Sequence, residues 1–411
     1  MKTATLLRSP LAQLAAMLLP FLAPASHLEA AAPVVSNVRA SQRAGTQLVD
    51  IYYNVSAATA TVRVAVLVSA DGGTIWNVPA TTFTGAYGPG VTTGNDRLLT
   101  WNAGLDWGGH FSTACRVRVL ADDGTAPPAP AGMAYIPAGS FQMGDTFHEG
   151  NTSELPLHNV FVSAFFMDKN QVIKEMWLDV YTWAQGHGYT FSNAGSFAGN
   201  GYPVKNVNWY DVVKWCNARS EQEGLTPCYY TDATLATVYR VGSLNLTNAC
   251  VKWTVNGYRL PTEAEWEKAA RGGRAGNRFP WGDTITHSQA NYFSSASYGY
   301  DLSPTRGAHP TYGAATGPIR SFAANDYGLF DMAGNQSQWC WDWFDGLFYG
   351  QTEATNDPHG PVGAMSYRVM RGGDASDAAV ALRCASRYNI YGNVVPAQTS
   401  PARGFRCVRG Y

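Results

Sequence analysis

Gly257-Tyr-Arg-Leu-Pro-Thr-Glu-Ala-Glu-Trp-Glu267 is the stretch on which the reading of the larger part of the chain turns. Thr262 followed three residues later by Glu265 makes a capping box, in which each side chain accepts from the other residue's orphan backbone N–H, so a helix starts here. Gly272 and Gly273 supply the left-handed stop. Upstream, Ile173, Met176, Trp177, Val180, Tyr181 and Ala184 recur at helical spacing, as do Trp209, Val212, Val213 and Cys216, which predicts two further helices. The rest of residues 133–411 is short runs rich in Gly, Asn and Trp without an internal repeat, the pattern of loops and short strands in an α+β domain of low regular structure. Glu263, Glu265 and Glu267 crowd the start of the third helix. The helix dipole favours carboxylates there, so they read as structural.

Moving towards the N-terminus, Thr125-Ala-Pro-Pro-Ala-Pro-Ala-Gly132 is a Pro/Ala linker stiffened by its restricted φ angles, and residues 125–132 mark a domain boundary. Residues 33–124 change period. Val49, Ile51, Tyr53 and Val55 alternate with Asp50, Tyr52 and Asn54, and Val62, Val64, Val66 and Val68 alternate with Arg63, Ala65 and Leu67 before the turn Asp71-Gly72-Gly73. Cys115, Val117 and Val119 repeat the alternation. Several such strands in one short segment predict an all-β sandwich of immunoglobulin or fibronectin type. Residues 1–32 read as a signal peptide: Lys2 and Arg8 precede an apolar stretch from Leu11 to Ala23, followed by Ala30, Ala31 and Ala32. An exported protein, periplasmic or extracellular, is expected. The apolar stretch is too short to span a bilayer, and no transmembrane segment is expected elsewhere.

The composition narrows the function. With 411 residues, 45% of them hydrophobic, the chain has material for two or three cored domains, which excludes a disordered tail. Lys and Arg number 29 against 30 Asp and Glu, and no like-charge run occurs, so nucleic acid is not an expected partner. Seven cysteines (115, 216, 228, 250, 340, 384 and 407) in an exported chain predict disulfides, and the odd count leaves at least one thiol. There is no CxxC, HExxH, GxSxG or Gly-rich phosphate loop, and the eight histidines are scattered, none paired at i, i+4 for a metal. They read as surface or loop residues.

Seven ordered motifs then carry a resemblance. They are Met133-Ala-Tyr-Ile-Pro-Ala-Gly-Ser-Phe-Gln-Met-Gly144, Phe166-Met-Asp-Lys169, Gly257 to Glu267, Phe279-Pro-Trp-Gly282, Gly328-Leu-Phe-Asp-Met-Ala-Gly-Asn335, Arg368-Val-Met-Arg-Gly-Gly373 and Gly404-Phe-Arg-Cys407. Residues 133–411 resemble the sulfatase-modifying-factor family, best known for formylglycine-generating enzymes. The resemblance implies a mixed domain related to C-type lectins. It also implies a disulfide between Cys216 and Cys407; Cys228 and Cys250, which bracket an insertion, are expected to form a second, worth about 3 kcal/mol by loop closure. Cys115, Cys340 and Cys384 are left unassigned. In the family the partner of the Cys384 position lies in the third helix, where this chain has Ala270.

The resemblance further implies calcium. One set of oxygen ligands maps onto Asn291, Tyr292, Asp301 and Ser303, and a second onto Asp331, Gly334, Gln336 and Gln338, where the family usually has Glu at the last position. Losing that anion is expected to weaken the second site. Turn-forming roles for the same Asn and Asp residues are the alternative.

The catalytic positions depart from the family. Formylglycine-generating enzymes hold Cu(I) through two cysteines five positions apart after Arg-x-Gly-Gly, and Asp374-Ala-Ser-Asp-Ala-Ala-Val-Ala-Leu-Arg383 contains none. The family's Ser after Gly-Gly is Asp374 here, its Trp in Gly-Asn-x-Trp-Glu-Trp is Ser337, and its Asn before Gly-Phe-Arg-Cys is Ala402. Copper is therefore not an expected cofactor, and no catalytic residue is assigned. Residues 374–403 also lack Lys, Glu, Met and Trp, which resembles the variable region of lectin-like ligand binders diversified by retroelements, although Gln398 departs from that code. On that reading Asp374, Ala375, Ser376, Asp377, Tyr388, Asn389, Tyr391 and Asn393 display contacts to a peptide, protein or glycan. An ordinary Gly/Ala-rich loop is the bland reading. The expectation is a secreted binding protein, with a formylglycine-generating oxidase as the alternative and docking of the sandwich to an envelope or partner surface as a third role.

Overall fold

The computed structural model describes residues 33–73, 78–124, 129–387 and 394–410. The expected signal peptide, part of the linker, and Tyr388, Asn389, Tyr391 and Asn393 lie outside these residues.

The N-terminal alternation folds into two antiparallel sheets. One has the order β1 (Val34–Gln42), β2 (Leu48–Ser56), β6 (Gly94–Asn102) and β4 (Phe83–Gly85); the other runs β5 (Gly88–Thr92), β3 (Thr61–Ser69) and β7 (Arg116–Asp122). Ile51, Tyr53 and Val55 face Val62, Val64, Val66 and Val68 across a core that also buries Leu99 and Trp101. Side chains alternate at period two, so one face of β2 fills this core while the other is only partly covered; in β3 Leu67 and Ser69 on the second face are buried as well. A single helical turn, α1 (Ala103–Asp106), crosses one end, and its Asp106 carboxylate accepts from Thr81 and Thr82 backbone N–H, both their hydroxyls and Trp101 Nε1.

Beyond the linker, regular elements are brief. A four-stranded sheet has the order β12 (Tyr258–Arg259), β16 (Val408–Gly410), β11 (Phe165–Asp168) and β8 (Met133–Ile136). β9 (Gly139–Met143) pairs with β10 (His158–Val162), and β13 (Ser337–Trp343) lies between β14 (Arg368–Arg371) and β15 (Arg403–Gly404). The three expected helices are present as α2 (Lys174–Gln185), α3 (Trp209–Gln222) and α4 (Glu263–Arg271). Asn208 caps α3 by accepting from Asp211 N–H. The capping box of α4 is formed on both sides, and Gly272 ends it at φ 59°. Trp177, Trp209, Trp215, Trp339 and Trp341 are buried together between α2, α3 and β13. Among the described residues no helix is long and apolar enough to cross a membrane.

Candidate functional site

β14 ends in Arg371-Gly372-Gly373, where φ values of 94° and 66° turn the chain in a way that favours glycine. Arg371 is wholly buried and forms close ion pairs with Glu267 and, at 3.6 Å, with Glu263. Arg271 also holds Glu267, Arg387 holds Glu263 through two bonds, and Arg383 holds Glu154 at 2.9 and 3.0 Å. The α4 glutamates are thus structural, as expected, but through buried guanidinium partners rather than through the helix dipole alone. These pairs clamp both ends of the segment from Arg371 to Arg387 against α4 and the loop before β10.

Between the clamps the chain closes on itself. Asp374 N–H donates to Asp377 Oδ2 at 2.9 Å, while Ser376 N–H and Oγ donate to Asp374 Oδ1 at 2.8 and 2.6 Å. Ala375 N–H reaches Asn335 O, and Phe293 N–H reaches Asp377 O. The expectation that Asp374, Ala375, Ser376 and Asp377 all present themselves to a ligand is corrected here. Asp374, Ala375 and Asp377 are buried, because both carboxylates are consumed in capping their own turn; only Ser376 is exposed. Phe293, paired alongside Ala378 and 44% exposed, stands next to this turn and was not singled out from the sequence. Its only sequence signal was its place next to the Asn291-Tyr292 pair.

The donor set for Cu(I) is missing. The segment from Asp374 to Arg383 has no thiol, and Cys340 and Cys384 are fully buried. Burial pushes the Cys384 thiol up to about 12 and raises Cys340 strongly, the opposite of what a thiolate ligand needs. These residues do not fit copper.

Each of the two calcium sets contains a buried acceptor without a partner. Asp301 accepts from Tyr292 Oη (2.6 Å), Ser294 Oγ (2.9 Å), Ser295 N–H (2.8 Å) and Ser303 N–H (3.2 Å), with Arg306 Nη1 at 3.1 Å. Against the burial that would raise it, these donors hold its carboxyl below the usual range. Four of these five donors crowd Oδ1 and only Ser295 N–H reaches Oδ2. Asn291, its fellow in the expected site, donates through Nδ2 to Ala315 O and Asn335 Oδ1, while its Oδ1 is a buried acceptor without a partner. In the second set Asp331 Oδ1 and Gln336 Oε1 are buried acceptors without a partner, as a hard cation would require. Gln338 is not available there: its Oε1 accepts from Trp266 Nε1 and Arg406 Nε, and its Nε2 donates to Asp331 O.

The thiols of Cys216 and Cys407 lie 3.7 Å apart in the core. Cys228 and Cys250 flank the bridged pair Tyr229 and Val251, with Cys250 Sγ against Thr247 Oγ1. All seven cysteines are thiols in this structure. Of the histidines expected at the surface or in loops, His287 and His309 lie in loops and are buried there: His287 Nε2 meets Tyr292 O, and His309 Nε2 meets His287 O.

Residues 121–411 match the sulfatase-modifying factor enzyme 1-like domain. The chain belongs to the sulfatase-modifying factor family. A formylglycine-generating enzyme of Streptomyces coelicolor is 33% identical over 302 residues, covering 68% of this chain and 90% of that protein. A serine/threonine-protein kinase pkn1 of Chlamydia caviae is 32% identical over 283 residues, again 68% of this chain, yet the match spans only 38% of the kinase. Among solved structures, Treponema denticola variable protein 1 shares the fold at a TM-score of 0.51 and 27% identity, over 68% of this chain and 95% of that one. The fold, and membership of a family whose members differ in activity, rest on these likenesses.

Proposed function

We propose that this protein is an exported binding protein: an immunoglobulin-like sandwich carrying a sulfatase-modifying-factor domain that recognises a peptide, protein or glycan without oxidase chemistry. The observation that carries the reading is the segment after Arg371-Gly-Gly. Where copper chemistry would need paired thiolates, the chain has a self-capped Asp374–Asp377 turn with Ser376 and Phe293 outward. The likeness to a protein described as variable supports ligand recognition around this segment, of whose described residues Ser376 is an exposed one. Calcium has a structural role on this reading and is held by Asp331 and Gln336, whose orphaned acceptors support it. Export to an oxidising compartment would join Cys216 to Cys407 and Cys228 to Cys250.

The likeness to the Streptomyces enzyme over 90% of its length favours a second reading, a formylglycine-generating oxidase. The test is copper uptake by the purified protein under reducing conditions, with mass spectrometry of a Cys-x-Pro-x-Arg peptide. Neither bound copper nor conversion to formylglycine is expected. Stoichiometric copper together with conversion would overturn the binding reading.

A further inference from the structure

Between the end of β9, the start of α4 and the turn at Phe348–Gly350 lies a cavity that leaves about 10 Å³ for the centre of a water molecule. That suffices for one water. Its polar lining comes from His158, Glu263, Asp342 and Tyr349, and Met143 and Ala264 are part of its apolar wall. Two polar atoms of these lining residues, His158 Nε2 and Tyr349 Oη, are buried without a partner among the described residues.

The two atoms are complementary in sense. His158 Nδ1 lies 3.0 Å from Pro156 O, and a carbonyl oxygen only accepts, so the proton of the neutral ring sits on Nδ1 and Nε2 presents its lone pair. Burial favours that neutral ring, holding the His158 pKa below its ordinary value. Nε2 therefore needs a donor. Burial, with the charge of Glu263 nearby, pushes the Tyr349 hydroxyl well above its ordinary range, so it keeps its proton and needs an acceptor. The rings stand with centroids 4.7 Å apart, tilted by 51°, and no hydrogen bond joins them directly. Left unmade, both bonds would carry the full desolvation cost of a buried polar group.

One water satisfies both atoms by accepting from the Tyr349 O–H and donating to His158 Nε2. Its second O–H is left for the carboxyl of Asp342, whose Oδ2 accepts from Glu263 N–H at 2.7 Å. Glu263 is already engaged, since both its oxygens accept from Arg387. Three partners are what a buried water usually has. A metal ion would satisfy Nε2 but leave the Tyr349 proton without an acceptor. We propose that His158 Nε2, Tyr349 Oη and Asp342 hold one internal water molecule, and that this water ties β10 to the Phe348–Gly350 turn beneath the Glu263–Arg387 pair. The Arg387 guanidinium lies 4.3 Å over the Tyr349 ring and also donates to Ser153 O and Asp345 O. A Tyr349 held by water thus supports the clamp at the far end of the segment that starts at Arg371.

The test pairs a crystal structure of the full chain with urea unfolding of Tyr349→Phe and His158→Leu, singly and together. Density is expected at hydrogen-bond distance, about 2.7–3.2 Å, from both His158 Nε2 and Tyr349 Oη. Tyr349→Phe keeps the ring and removes only the hydroxyl, so it should fold, and its crystals should lose the water. Each single variant should lower the folding equilibrium constant. The loss in the double variant should fall at least about fivefold short of the product of the single losses, because both remove the same bridge. Absence of the wild-type density, or losses that simply multiply, would overturn the inference. So would a direct bond between the two side chains, which gives the coupling without the water.

Discussion

The N-terminal sheets and the domain beyond the linker satisfy buried polar groups in opposite ways. In the sheets the backbone bonds mostly to itself, as in the unbroken register from Arg63 opposite Asp122 to Ser69 opposite Arg116, and the core between them is apolar. In the second domain long ladders are few, and side chains take over. Arg406 alone donates to carbonyls of Asp168, Lys169, Phe330 and Asp331, and Arg368 to those of Trp341 and Leu246. Every buried carbonyl needs a donor. A domain built of loops must import guanidinium groups to supply them, and must then neutralise or shield the charge.

Two kinds of shielding are visible. Arg371, Arg271, Arg383 and Arg387 face buried glutamates, whereas Arg368 lies between the faces of Trp209 and Trp343 at 3.6 and 3.5 Å. Burial accordingly pushes the Arg368 guanidinium well below its ordinary range. A core assembled in this way depends on pairs, so removing one member harms more than removing an equal volume of hydrocarbon.

The sharpest test of the contrast is therefore Glu267→Ala, which removes the carboxylate shared by Arg271 and Arg371 and leaves Arg371 only its longer pair with Glu263. It should cost about 3–5 kcal/mol, read as a shift of the unfolding transition of the second domain in urea. Leu99→Ala in the N-terminal core, read on the N-terminal transition, should cost about 2–5 kcal/mol and leave the second domain untouched. A Glu267→Ala loss below that of an exposed pair would break the comparison.

Lys268 sharpens it further. Its ammonium is buried, donating to Gly139 O and Val162 O, and burial holds its pKa down to about 7 from 10.5. Asp357, Asp122 and Glu265 pull it upward, and Arg63 pushes it down. Between pH 7 and 10.5 the unfolded chain binds the proton that the folded chain releases. Stability should thus rise with pH through that window, by up to about 1.4 kcal/mol per unit, and the full penalty should be present below pH 7. Lys268→Met should flatten this slope in denaturation measured across the window. The smallest effect belongs to the exposed Arg274–Asp326 pair: solvent screens it, so Asp326→Asn should leave the urea midpoint of the second domain essentially unmoved.

Much of this architecture was legible in the residues. The alternation marked the buried face of β2, and Thr262, Glu265 and Gly272 marked both ends of α4, because capping and periodicity are local chemistry; in β3 it missed Leu67 and Ser69, buried on the other face. The environment of Asp374 and Asp377 was not legible. Asp-Ala-Ser-Asp reads as surface by composition, and only the fold reveals that its two carboxylates are spent on their own backbone. The same holds for Asp301, whose fifth donor, Arg306, is a cation the motif does not include. Arg368 and its tryptophans are distant in sequence, and no spacing rule connects them.

β8 and β16, the first and last strands of the second domain, both flank β11 in one sheet. A chain that enters and leaves a fold through neighbouring strands can be spliced into a larger polypeptide with little rearrangement, because its two ends already share an address. That gives the unit the makings of a portable cassette. It accords with the range of the relatives: the same stretch accounts for 90% of one protein and 38% of another.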